Sequence, residues 1–330
     1  MKQTRGAAIR NRRSVSRLWF SLMLVLALVA CGSSSAPSPA PDDPTPAPPD
    51  ATATADLPQP TPALVPTPSP TTLTPEEFDT AVSQLVAKFG SRGISMAGIV
   101  ITDSATGDLV TLNEDHPFVA ASLYKLFVLW QTQRMIRAGQ LSDDTALVLG
   151  PDTDDSEEDG YSLGDYGSTI TVAEARRLMI TESNNTAAWL LAKEIDWDAA
   201  RPVLRDAGFA VTEVWPNPVT TPREVTRYLQ GVINHNLDPA LQDADYTLML
   251  NLLKEQQINT MLSPGWPRGV VFAHKTGEVD GDTHDAGALL LPDGRVIYIT
   301  VMTEGDYDPA LLFMRQLATL VWARFSSSQP

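Results

Sequence analysis

The sequence predicts an α+β domain from about residue 74 to residue 325, and three observations carry that expectation. A capped amphipathic helix opens the segment. Three apolar runs separated by turn signals, followed by a last helix, close it. The stretch between them reads as helix after helix.

The first helix is marked by Thr74 and Glu77, which form a capping box around Pro75 at the first helical position, with Leu73 placed to staple onto Phe78. Phe78, Ala81, Val82, Leu85, Val86 and Phe89 keep one face apolar. "SMAGIVIT", "DSATGD" and "LVTL" then read as strand, turn and strand. An apolar helix containing "ASLYKLFVLW", residues 121–130, follows and ends near Gly139. Thr171 opens another helix with Glu174 as its capping partner. That helix stops near Thr181 and a new one starts around Thr186, leaving "ESNN" in the joint. Further helices cover about 223–233 and 246–256. "GVVFAHKTG", "HDAGALLL" and "RVIYITVM" are strands, the last two joined by a "PDG" turn, and a final helix runs from about Pro309 to Arg324.

The part before this domain is of another kind. Residues 1–17 hold six basic residues and no acid, and Leu18–Ala30 is apolar apart from Ser21. A charged segment followed by a short apolar one reads as a secretory signal, residues 1–30, outside the fold. It ends in "LVAC", which resembles a bacterial lipobox, so Cys31 is expected to carry lipid and to hold the protein on the outer side of a membrane in the cell envelope. Fourteen prolines fall between Pro37 and Pro75. Residues 31–73 are therefore expected to be a disordered tether, with a reach on the order of 100 Å. Residues 326–330 read as a disordered tail.

The chain carries 24 basic and 40 acidic residues. Without the signal 18 basic residues remain, for a net charge near −22. Such a surface argues against nucleic acid and against electrostatic attachment to anionic lipid. Cys31 is the only cysteine, so no intramolecular disulfide can form. His116, His235, His274 and His284 show no ligand spacing, and neither a metal nor another cofactor is expected.

"ASLYKLFVLW" poses a problem. A helix apolar on every side should be buried, and burying the Lys125 ammonium is costly. Ser122 lies one turn earlier, on the same face. A desolvated lysine has a lowered pKa and can take a proton from a serine, creating a nucleophile. By itself the pair is equally well explained by a lysine whose stem lies on the protein and whose head reaches water. "ITESNNTAAWLL" adds Ser183, whose hydroxyl can relay a proton, and Asn185, whose amide can hold a substrate amide. Helix capping would explain both. "AHKTGEV" adds Lys275 and Thr276, an ammonium and a hydroxyl for a carboxylate, and Gly277, which lets backbone approach closely.

In this order, S-x-x-K, S-x-N and K-T-G resemble the serine constellation of class A β-lactamases and penicillin-binding proteins. The resemblance implies the serine β-lactamase/DD-peptidase fold, with an antiparallel sheet flanked by the terminal helices and joined to a helical lobe. It implies an acyl-enzyme on Ser122, with Lys125 as general base and Ser183 as proton relay. Asn185 would bind the substrate amide, Lys275 and Thr276 its carboxylate, and the amides of Ser122 and Glu278 the oxyanion. Tyr161 would match a tyrosine at the rim. The implied partner is a small β-lactam or a peptidoglycan peptide, and a monomer is expected.

Two departures from the pattern matter. Asn184 replaces the central aspartate of S-D-N. The E-x-x-L-N segment, whose glutamate activates the deacylating water, is missing from "GFAVTEVWPNPVTTPRE", residues 208–224, where Glu213 is the nearby candidate. The enzyme is therefore expected to acylate well and turn over poorly. Alternatives are a D-alanyl-D-alanine peptidase and an envelope-binding protein with a degenerate site. "DTDDSEED", residues 152–159, holds six acids in eight residues. It lacks EF-hand order and reads as a solvated loop that would repel anions if it bordered the cleft.

Overall fold

A computed structural model describes residues 73–325, which lie in one compact unit. The expected signal, the tether, Cys31 and the tail fall outside the described residues. Among the described residues no helix is long and apolar enough to cross a membrane.

In chain order the elements are α1 (Pro75–Gly90), β1 (Ile94–Asp103), β2 (Gly107–Leu112), β3 (Phe118–Val119), a 3₁₀ turn (Ala121–Leu123), α2 (Tyr124–Arg137), β4 (Ala146–Val148), α3 (Ser156–Asp159), β5 (Thr169–Thr171), α4 (Val172–Thr181), α5 (Asn185–Glu194), α6 (Trp197–Asp206), β6 (Val219–Thr220), α7 (Pro222–Ile233), α8 (Asp243–Lys254), a second 3₁₀ turn (Ser263–Gly265), β7 (Val271–Val279), β8 (Asp282–Leu290), β9 (Val296–Gly305) and α9 (Tyr307–Phe325). The main sheet is antiparallel in the order β2-β1-β9-β8-β7.

The local reasons are those the sequence suggests. Thr74 and Glu77 cap α1 reciprocally, and Phe78, Val82, Leu85 and Phe89 bury its inner face. The sheet serves two cores because side chains alternate along each strand. Ile297, Ile299 and Val301 of β9 join Phe78, Phe89, Phe313 and Leu317 beneath the terminal helices. Tyr298 and Met302 face the other way and pack with the helical lobe around Phe127, Trp130 and Tyr228. The near-continuous apolar runs of β8 and β9 follow from having both faces covered.

The apolar helix is buried, as its composition demands: residues 124–133 of α2 are all buried. The chief element sequence reading misses is α6. Its amphipathic face buries only Ala200 and Leu204, and Pro202 lies within it. Asp196 caps it by accepting from Asp198 N and Ala199 N, both at 3.1 Å. The joint around "ESNN" is as expected, with α4 ending at Thr181 and α5 starting at Asn185.

Candidate active site

The site lies where the end of β7 meets the helical lobe. Ser122 sits in the 3₁₀ turn that leads into α2, so the backbone before Lys125 is already helical. Ala121 has φ of 45°, in the left-handed region, which turns the chain out of β3 and into that helix. Behind it, His284 on β8 ties the segment down: its Nε2 donates to Val119 O at 2.8 Å, while its Nδ1 accepts from Thr303 N at 3.2 Å. Burial pushes the His284 pKa down to about 4, so the ring is neutral and keeps this donor and acceptor pattern.

Gly277 explains how close β7 approaches. A Cβ there would lie 3.3 Å from Ala120 O, Ala121 Cβ and Leu123 Cγ. The glycine, expected from sequence to permit close approach, lets the strand press directly against the turn that carries Ser122.

Lys125 is fully buried. Its Nζ donates to Ser183 Oγ at 3.2 Å, to Asn185 Oδ1 at 2.6 Å and to Ser183 O. No carboxylate among the described residues touches it. Burial lowers its pKa to about 7, against the opposing pull of Asp159 and Asp155. The surface lysine that sequence alone left open is thereby ruled out.

Ser183 is held in the left-handed region at φ 58°. Its hydroxyl also receives Lys275 Nζ at 2.9 Å, and Lys275 donates to Thr276 O at 2.8 Å. Lys275 is fully buried too, and burial, then the nearby Lys125 charge, push its pKa well below the usual lysine range. Two desolvated lysines thus converge on one serine hydroxyl. Such a hydroxyl can pass a proton between a base and a leaving atom.

Asn184, the departure from S-D-N, caps α5: its Oδ1 accepts from Ala187 N at 2.7 Å, and the residue is buried. Asp159 braces the same helix start by accepting from Asn185 N at 2.6 Å and Thr186 N at 2.9 Å. Tyr161 stands at the rim and donates to Glu182 Oε2 at 2.8 Å, while Arg177 Nη1 donates to Glu182 Oε1 at 3.0 Å. Ser122, Ser183, Asn185, Thr276, Glu278 and Tyr161 all line one cleft of about 1310 Å³.

Glu213 is elsewhere. It does not line the cleft, and it holds Arg201 (3.2 Å) and Arg205. The other acid of that segment, Glu224, is buried and accepts from Val211 N, Thr212 N and Thr212 Oγ1 at 2.8, 2.7 and 2.5 Å. The wall nearby is aromatic instead: Tyr124 stacks on Trp189 at 6.0 Å, and Trp215 meets Trp189 edge-on at 5.1 Å.

Sequence reading left it conditional that the run holding Asp155, Glu158 and Asp159 borders the cleft, which it does, and it missed three further acids that line it, Glu182, Asp280 and Asp306. It also missed that His284 anchors the strand before Ser122, for which a lone histidine on a strand gives no sign.

A family model described as "Beta-lactamase enzyme family" matches residues 77–325. The β-lactamase VEB-1 of Pseudomonas aeruginosa is 21% identical over 251 residues, covering 68% of this chain and 84% of that protein. A β-lactamase of Streptomyces albus G is 27% identical over 227 residues, covering 62% of this chain and 71% of that protein. Among solved structures, PBP-A superposes with a TM-score of 0.67 at 20% identity, over 75% of this chain and 96% of that one. The β-lactamase of Sphaerobacter thermophilus DSM 20745 does so at 0.65 and 22%, over 76% and 99%. At these identities the two structures establish the shared fold.

Proposed function

The chain belongs to the β-lactamase enzyme family and is a serine hydrolase of that type, and from that premise we propose that it opens a β-lactam or related amide through a slowly released acyl-enzyme on Ser122. Neutral Lys125 takes the Ser122 proton as Oγ attacks the carbonyl carbon. The amides of Ser122 and Glu278 receive the oxyanion. As the C–N bond breaks, the proton reaches the leaving nitrogen by way of Ser183, which contacts both lysines. Lys275 and Thr276 hold the substrate carboxylate, whose charge restores that of the desolvated Lys275. Asn185 holds the substrate amide, and Tyr161 stands at the rim.

The observation that carries this reading is the convergence of Lys125 and Lys275 on the Ser183 hydroxyl beside the turn that bears Ser122. Slow release is supported by the engagement of Glu213 with two arginines, which leaves it poorly placed to activate water. The lipobox-like "LVAC" supports an extracytoplasmic enzyme tethered through lipid on Cys31.

Intact-mass spectrometry with benzylpenicillin tests the proposal. A stoichiometric adduct that maps to Ser122 and is absent from Ser122→Ala is the expected result. An adduct on another residue, or none, would overturn it. Persistent adducts with β-lactams together with cleavage of D-alanyl-D-alanine peptides would instead mark a peptidase.

A further inference from the structure

Beyond the catalytic groups, the cleft is lined by carboxylates on two sides. Asp155, Glu158 and Asp159 come from the α3 region, Glu278 from the end of β7, Asp280 from the β7–β8 turn and Asp306 from the joint between β9 and α9. Asp159 is engaged with the start of α5. Asp155 is half-buried and Glu158 exposed, and neither has an ion-pair partner among the described residues.

A second observation points to a ligand on the α3 side. Tyr124 lines the same cleft, is 7% exposed, and its buried hydroxyl has no hydrogen-bond partner among the described residues. Asp155 and Asp159 both act electrostatically on that hydroxyl. Trp189, also lining the cleft, stacks on the Tyr124 ring. Its helix begins at the amides held by Asp159, and Asp155 N donates to Thr186 Oγ1 at 3.0 Å. Carboxylates beside an aromatic face and an unpartnered hydroxyl form the surroundings that favour an organic cation.

We propose that this cleft selects acyl donors bearing an ammonium group on the acyl side of the reacting amide, seated by Asp155 and Glu158 next to Trp189. The placement rests on the acyl-enzyme reading above. Asn185, which holds the substrate amide in that reading, is bonded through its own N–H to Asp159 of the same wall. The carboxylate end of the substrate goes to Lys275 and Thr276. A donor with a second anion on its acyl side meets unpaired carboxylates, whereas an ammonium completes their pairing. The class of ligand is an amine-bearing β-lactam, or a peptide whose residue beside the reacting bond carries a free amine.

The test uses the full chain and three penicillins that differ at one side-chain carbon. Ampicillin carries an ammonium there, benzylpenicillin is neutral and carbenicillin is anionic. Second-order rates of Ser122 acylation are measured and each is divided by the compound's rate of hydrolysis in hydroxide. At about 10 mM ionic strength the normalised rates fall in the order ampicillin, benzylpenicillin, carbenicillin, with about tenfold or more between the ends. At about 0.5 M salt the span shrinks to about threefold or less. The double variant Asp155→Asn, Glu158→Gln removes most of the span at low salt. Any change it causes in Lys125 moves all three rates together, so the ratio isolates the charge effect. Asp159 is left intact because it braces α5. Equal rates at low salt, or carbenicillin ahead of ampicillin, would overturn this inference alone, and the unmodified protein suffices for that result. A span unchanged in the double variant would overturn the seat named here. No adduct with any of the three would overturn the acyl-enzyme reading and this inference with it.

Discussion

Two regions that face the cleft, or lie just behind it, are built in opposite ways. Beside the half-buried Ser122, the two lysines assigned to proton transfer and substrate binding, Lys125 and Lys275, are fully buried, meet on the half-buried Ser183 hydroxyl and have no ion-pair partner among the described residues. In the 208–224 segment the acids are present but occupied: Glu213 by two arginines, Glu224 by backbone amides and a threonine. The contrast separates two tasks. Attack and leaving-group protonation need a desolvated base within one helical turn and a hydroxyl relay. Water activation needs a carboxylate free to accept a proton, and a carboxylate spent on guanidinium groups is a poor acceptor.

The largest effect that would break this contrast comes from Lys125. Lys125→Ala should slow Ser122 acylation by about 10³-fold or more while the far-ultraviolet circular dichroism stays native. Acylation at the unmodified rate would remove Lys125 from its role. Ser183→Ala comes next. It removes the hydroxyl shared by the two lysines and should cost about 10²-fold in acylation, read by the same mass measurement. A smaller, graded effect is the pH profile. With Lys125 near pKa 7, acylation should fall about tenfold per pH unit below 7 and level off above it. A rate independent of pH between 5 and 8 would contradict a lysine base.

The smallest effect concerns the scaffold. His284 is neutral in the fold, with a pKa of about 4, and titrates near 6.5 when unfolded. The unfolded chain therefore binds the extra proton first, and stability should fall as pH drops from about 6.5 to about 4, by up to about 3 kcal/mol. Urea unfolding across that range should show the loss, and His284→Gln should show a shallower one. Equal slopes in both proteins would exclude His284 as the source.

Much of this was legible in the sequence, and the reasons are local. The Thr74 and Thr171 caps, the apolar run of α2 and the turn signals between the last strands are short-range features, and the corresponding elements appear within a few residues of where they were expected. The three motifs were likewise visible because each is contiguous. What distance in sequence hid was the pairing. Lys125 and Lys275 are 150 positions apart, yet both reach one hydroxyl. The acidic run 152–159 looked like a solvated loop, because nothing local says that it borders the cleft against α5. Helix α6 was missed because a mid-helix proline outweighs its amphipathic pattern in any local reading.

Whether Ser122 is acylated faster than it is released can be read directly from pre-steady-state kinetics. Stopped-flow mixing with nitrocefin measures both steps in one trace. A burst of one equivalent per Ser122, followed by steady turnover at least about 10²-fold slower, is the expected result. Steady hydrolysis with no burst, and no Ser122 adduct on quenching, would contradict it.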